Sequence, residues 1–446
     1  MKRFVILTLT ALFAVTTFAQ PGGHSGSSTK SSPSGATYSQ SSSTDPTTIA
    51  NQTYSCTTSD YNVIQVTGGT LNVNNCTLSK TGDTSDSDGS SFFGINSSVY
   101  VNGSGAIINM TGGSITSACK GANGGFAYGS GVLNISDVTI TNTGNLSRGI
   151  HATGGGTINA TNLTIKTSGS NSSVVATDRG GGTVTVTKGS YITTGTDCAI
   201  LYSTGTITAN DATGSSSKGE VGVIEGNNSI TINNCDFTSG SSTRGLMILQ
   251  SGSGDATGYN GKITINGGSI TMTDSSAPLC EIPTNMTGTL TLKDVNLTVP
   301  SAVLMKVDYN TRWSTNGGTG NLILESDGTW TVNGTVATDS YAKALNVTVG
   351  SGVTWNLSDD TTIKGTLTIN SGGTVNKNGH TLTYTTLVNN GTLTDVSAIN
   401  TINTASESST GNVYNVQGQL VKKAATDLKG LPAGIYILNG KKFFVR

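Results

Sequence analysis

Charge is scarce in this sequence. Lys and Arg number 24 and Asp and Glu 25 among 446 residues, giving 11% charged side chains and a formal net charge of -1. With so little positive charge, and none of it gathered into a stripe, the electrostatic footprint of a nucleic-acid binder is missing. Proline (7) and tryptophan (3) are rare. No long window repeats apolar residues at helical spacing, and beyond the N-terminus no apolar run is long enough to cross a bilayer as a helix. Glycine fills the gap with 60 residues, together with Ser, Thr and Asn where Lys, Glu and Leu are usual. Thr-x-Thr and Ile-x-Ile alternation recurs throughout, which is the period of a strand. The chain is expected to be all-β.

The N-terminus carries a different signal. Lys2 and Arg3 precede an apolar run from Phe4 to Phe18, and Thr17-Phe18-Ala19 places small residues where a signal peptidase cuts. Residues 1–19 are therefore expected to be a signal peptide, leaving Gln20 first. Residues 20–50 are rich in Ser, Thr and Gly, with His24 among them, and read as a flexible linker.

From there the sequence repeats. Gly131, Gly156, Gly182 and Gly205 each open a strand of the form Gly-x-apolar-x, at spacings of 25, 26 and 23 residues. Asn228, Gly261 and Gly288 continue the series at 23, 33 and 27. A unit of this size holds three short strands and cannot bury its own apolar face, so units must stack. In the unit starting at Gly156, Ile158 and Ala160 share a parity, as do Leu163 and Ile165, and then Val174 and Ala176. Gly and Asn between strands suit the positive-φ corners of a tight coil. The expected architecture is a right-handed parallel β-helix, a three-faced solenoid over residues 51–400, followed by a small C-terminal β domain over 405–446. A β-sandwich would show hairpin loops in place of this three-strand cycle. By parity Trp330, with Val332, and Trp355, with Val353 and Leu357, point into a core.

Six cysteines in a chain expected to be exported suggest disulfides. Cys76 and Cys235 nevertheless occupy the same inward slot, on the parity of Leu78 and Phe237, and behave as small core residues. Cys56 and Cys76, about one coil apart, are the only pair considered for a bridge.

The last 36 residues, "GNVYNVQGQLVKKAATDLKGLPAGIYILNGKKFFVR", differ in composition from the coils, since lysine rises and the Thr/Asn strands vanish. Tyr414, Gly418, Val421, Leu431, Pro432, Gly434, Tyr436 and the Lys441–Lys442 pair fall in an order that resembles the C-terminal sorting domain of the type IX (Por) secretion system of Bacteroidetes. The resemblance covers the tail alone. It implies passage across the outer membrane by the type IX machinery, removal of the tail, and release or attachment at the cell surface. The solenoid, with strings such as "ATDRGGGTV" and "VIEGNNSITI", is similar to secreted bacterial β-helix proteins of adhesin-like and pectin-lyase-like type. That resemblance implies fold and location.

Chemistry-bearing residues gather at the end of the third strand of each coil: Asp178 with Arg179, Glu225, Asp255 and Glu281, with Tyr202 and Gln250 between. Carboxylates two coils apart would stand ~9.6 Å from each other, near the upper limit for an inverting glycosidase. Glu225, Asp178 and Glu281 are thus the candidate catalytic residues, and Tyr202, Gln250, Tyr309 and Trp313 the candidate ligand contacts. The competing reading makes the acids turn residues that accept backbone N–H groups. Asp83, Asp86, Asp88 and Gly89 form a calcium-loop-like cluster whose twelfth position is Ile95 where an EF-hand has Glu. Ca²⁺ is the only cofactor considered. His151 is outward by parity, and no Ser-His-Asp arrangement suggests itself. The expected function is a secreted or cell-surface, non-enzymatic, adhesin-like module facing a glycan or cell-surface ligand. The alternative is a polysaccharide lyase or glycoside hydrolase with a groove beside the third strand.

Overall fold

The computed structural model describes residues 28–42, 44–250, 256–310, 316–395, 411–425, 428–438 and 441–445. The expected signal peptide, His24, Asp255 and Trp313 lie outside the described residues. The chain divides into two units, Met1–Asp395 and Val396–Arg446.

The first unit is a parallel β-helix. One side of each coil joins a twelve-stranded parallel sheet that runs from Gly35–Gln40 to Thr335–Thr338. Over most coils the other two sides form a bent twenty-stranded sheet, continuous because strands such as Gly156–Thr167 and Gly182–Thr193 run through the corner between them, and from Trp330 onward one side is a separate four-stranded parallel sheet. The corner is one residue in the left-handed region in most coils, and two in the coils that carry Gly112–Gly113, Lys188–Gly189 and Gly267–Gly268. Asn75, Asp137, Asn162, Asp211, Asn234 and Asp294 all hold φ between 50° and 56° there. Asn and Asp tolerate this backbone because a short polar side chain bonds locally. Side chains of one column then bond to the next rung. Asn109 Nδ2 donates to Asn72 Oδ1, Asn134 to Asn109 and Asn159 to Asn134, at 2.8–2.9 Å. Inside, Ile158, Ala160, Leu163 and Ile165 are buried in one core with Val184, Val186, Ile207 and Ile230. Trp355 is buried and donates Nε1 to the Gly334 carbonyl, while Trp330 packs on the same core.

Three readings need correction and a fourth needs an addition. The solenoid starts earlier than residue 51. Gly35–Gln40 pairs in parallel with Tyr61–Val66, and Thr47–Ala50 pairs with Leu71–Asn74. The Ser/Thr-rich composition of a linker is also that of the coils, so it could not mark the boundary. The second correction concerns the third strand, where Val175, not Ala176, shares the column of core-facing Ile150 and Leu201. Val174 turns inward at the corner before it. Third, Cys56 and Cys76 are not bridged; all six cysteines are buried and free. The coil length places Lys80 opposite Cys56, four residues past Cys76. Last, His151 is on the outward side of its sheet, as parity requires, yet it is fully buried.

The second unit is a four-stranded antiparallel sheet formed by Gly411–Asn415, Leu420–Ala425, Gly434–Leu438 and Lys441–Val445. Tyr436 and Leu438 pack with Val413 and Ala425 in its own small core, with Leu431 against it. Tyr436 donates its hydroxyl to the Pro432 carbonyl at 2.8 Å. Gly418 sits at φ 77° in a turn, Tyr414 and Val421 are exposed, and Lys442 pairs with Ile437.

Candidate functional site

The candidate residues meet on the outer side of the twelve-stranded sheet. One column there runs Tyr100, Phe126, His151, Ala176, Tyr202 and Val223, and continues through Met247, Glu281 and Lys306. Because these rungs lie ~4.8 Å apart, residues distant in sequence become side-by-side neighbours.

Asp178 is 5% exposed and ion-pairs with Arg148, one coil earlier, at 3.5 Å. Its Oδ1 also accepts the Arg179 N–H. Glu225 is 1% exposed and accepts the Tyr202 hydroxyl at 3.0 Å. Burial, then the adjoining Glu225 and Asp178, raises the Tyr202 hydroxyl well above its ordinary value, so it remains a donor. Glu281 is 7% exposed and pairs with Arg244 and, at 3.7 Å, with Lys306. Burial, reinforced by Asp308, pushes Glu281 up to about 7 against the pull of Arg244 and Lys306. Arg244, itself 4% exposed, also faces Glu220 at 3.4 Å. Burial raises Glu220, and Arg244 opposes it. Gln250 donates Nε2 to the Ala256 carbonyl and its backbone N–H to Thr284 Oγ1. The three acids thus share one sheet face, but each is buried against its own partner.

An open arrangement lies at the C-terminal ends of the same strands. Tyr309 and Tyr341, 32 positions apart, meet because Val307 and Thr338 are register partners. Their ring centroids are 4.7 Å apart with 34° between planes. Asp339 fixes both, its two oxygens accepting the Tyr309 and Tyr341 backbone N–H groups at 2.9 Å each. Tyr341 is 60% exposed and Tyr309 half-buried. Lys306, on the strand Val303–Val307, and Asp308, just past its end, are ion-paired at 2.7 Å and precede Tyr309 in the sequence. An exposed tyrosine ring on a hydrogen-bonded backbone offers an apolar face on which a sugar can stack.

The acidic cluster near residue 86 has a structural use. Asp86 caps the helix Ser87–Phe92, accepting the Gly89 N–H, and its other oxygen accepts the Thr29 and Lys30 N–H groups. Asp83 accepts the Lys120 N–H, and Asp88 sits in the first helical turn. Among the described residues one set of side chains could offer a metal three ligand atoms. Asp359, Asp360 and His380 bring theirs within 4.8 Å of one another because the Thr381 N–H bonds to Asp360 across one rung.

Sequence reasoning missed Arg244, Glu220, Tyr341 and the short helix Ser87–Phe92. Arg244 had a readable signal, since a cation two residues from the apolar quartet Leu246–Leu249 invites a buried partner. Tyr341 had none, because only coil register brings it to Tyr309. No family model, no curated protein and no solved structure matches this chain.

Proposed function

We propose that this is an exported, cell-surface β-helix protein that binds glycan through the Tyr309–Tyr341 platform and performs no chemistry on it. The pre-set tyrosine pair, with the Tyr341 ring exposed, carries this reading. The burial of Asp178, Glu225 and Glu281 supports it, because a general acid or base must come within hydrogen-bond reach of the substrate. The test is a glycan array and a polysaccharide-degradation screen on the secreted protein. Tyr341→Ala is expected to weaken glycan binding by ~10–30-fold, the effect of losing one aromatic anchor, with the melting temperature unchanged because the ring is exposed. Glu225→Gln is expected to leave binding intact. Equal binding by Tyr341→Ala overturns the platform. Cleavage by the wild type that Glu225→Gln abolishes overturns the non-enzymatic reading.

The export route belongs to the same proposal and rests on the leader-like N-terminus and on the tail's resemblance to type IX sorting domains. The tail has a separate core. Deleting residues 411–446 is therefore expected to leave the solenoid's melting unchanged while the protein accumulates in the periplasm. Finding the truncated protein outside the cell in a fractionation experiment would remove the sorting role.

A further inference from the structure

Between Lys80 and Val99 the chain leaves the coil and returns across the outer side of the twelve-stranded sheet. Its two ends are held differently. At the near end, Asp60 accepts the Thr84 hydroxyl, the Ser85 N–H and the Ser85 hydroxyl and pairs with Lys30. Asp86 ties the helix start to Thr29 and Lys30. At the far end, Arg148 Nη1 donates to Ser91 Oγ at 2.8 Å and Thr153 Oγ1 donates to the Phe92 carbonyl at 2.7 Å. The Arg179 guanidinium lies 3.8 Å over the Phe92 ring. Gly94, at φ 68°, passes so close to Phe126 that a Cβ would stand 2.3 Å from that ring.

Beneath the far end is His151. It is 0% exposed, its ring meets Phe126 edge-on at 4.9 Å, and neither ring nitrogen has a hydrogen-bond partner. Phe126 in turn stacks on Tyr100 at 6.1 Å. A neutral imidazole sealed against the Phe126 ring, with Ala176 on its other side, costs desolvation of both nitrogens. A charged one would need water or a carboxylate there.

We propose that the segment 85–93 is an acid-released cover: protonation of His151 frees its sheet-bound end, while the Asp60–Asp86 end stays anchored, exposing the aromatic row Tyr100–Phe126–His151. The charged groups around His151 set the direction. Arg148, on its own coil, adds positive charge. Asp178 and Arg179, one rung on, are committed to Arg148 and to Phe92. Tyr100, two rungs earlier, is raised by burial and stays neutral at these pH values. The cover's own acids, Asp86 and Asp88, lie in its first turn, at the near end.

Burial, then Arg148, holds His151 well below the usual imidazole range. Below pH ~6.5, the ordinary imidazole value, the released state therefore takes up a proton that the covered state refuses. Release is favoured by up to ~10-fold per pH unit. The anchors behave oppositely. Burial pushes Asp60 up, but Lys30, Ser85 and Thr84 outweigh it and hold it at about 2. Asp86 is likewise lowered, its N–H donors outweighing burial. Both anchors stay charged at pH 5.

The test is amide hydrogen exchange on the full-length protein at pH 7.5, 6.5 and 5.5, corrected for intrinsic rates, with His151→Phe and His151→Leu measured beside it. In the wild type, opening of peptides over 90–94 is expected to rise towards ~10-fold per unit below pH 6.5. Peptides over 84–87 and 156–167 should stay unchanged. Either apolar variant should lose that slope. Wild-type protection that is flat with pH overturns the proposal without reference to any variant, and so does an equal slope in a folded variant.

Discussion

Replacing Arg244 with alanine is expected to destabilise the solenoid by about 3–5 kcal/mol, the usual cost of removing one partner from a buried ion pair. Arg244 stands between Glu220 and Glu281, all three nearly buried, on the outer side of a parallel sheet. Without the guanidinium, two carboxylates face each other's coil with only Lys306 left near Glu281. The loss should also acquire a pH dependence. Buried carboxyls that have lost their cation have folded-state values above their unfolded ones. Their stabilising protonated form is then complete at low pH and is lost as pH rises through those values. The variant should accordingly melt higher at pH 5 than at pH 8, and by a wider margin than the wild type. Equal melting of variant and wild type across this range would mean that the network contributes nothing.

Ile165→Asp is expected to be as severe. Ile165 is fully buried in the continuous core, paired in register with Ile140 on one side and Tyr191 on the other. A carboxylate there has no cation and no donor within a stack of Ile, Leu and Val, at a cost of several kcal/mol. In a stacked solenoid the defect is shared by both neighbouring coils, because each rung closes the one before it. A thermal midpoint within error of the wild type would show that the inward parity of this strand is wrong.

The two substitutions differ in how visible their positions were. Ile165 was legible, because on the bent sheet one side of each strand meets water and the other the core, so Thr-Ile-Lys-Thr reads as out, in, out, in. The third strand defeated that reading. There Ile150-His151-Ala152, Val175-Ala176-Thr177 and Leu201-Tyr202-Ser203 bury most of both sides of the sheet, and alternation carries no information when neither face is wet. Of the candidate acids expected at strand ends, Glu225 closes its strand and Asp178 follows its own, whereas Glu281 falls in the middle of Cys280–Ile282, opposite Met247 in the Tyr202 column, and the surroundings of all three were not legible. Whether Asp178 or Glu225 is open or enclosed depends on Arg148 and Tyr202 one rung away.

The residue order alone was enough to make the chain a parallel solenoid with three strands per coil, because a 23–33-residue repeat of short strands and turn residues has no other way to bury its apolar side. It was also enough to say which Ile, Leu and Val on the bent sheet face inward. Which side chains touch across rungs was settled by the folded coil: Arg148 with Asp178, Arg244 with Glu220 and Glu281, Tyr309 with Tyr341, and His151 with Phe126. The cause is geometric. Lateral neighbours in a β-helix are one coil apart, and coils here differ in length by as much as the 23 and 33 residues that separate successive repeats. A change of one residue at a corner reassigns every partner on the next rung, and only the hydrogen-bonded register records which assignment the chain has made.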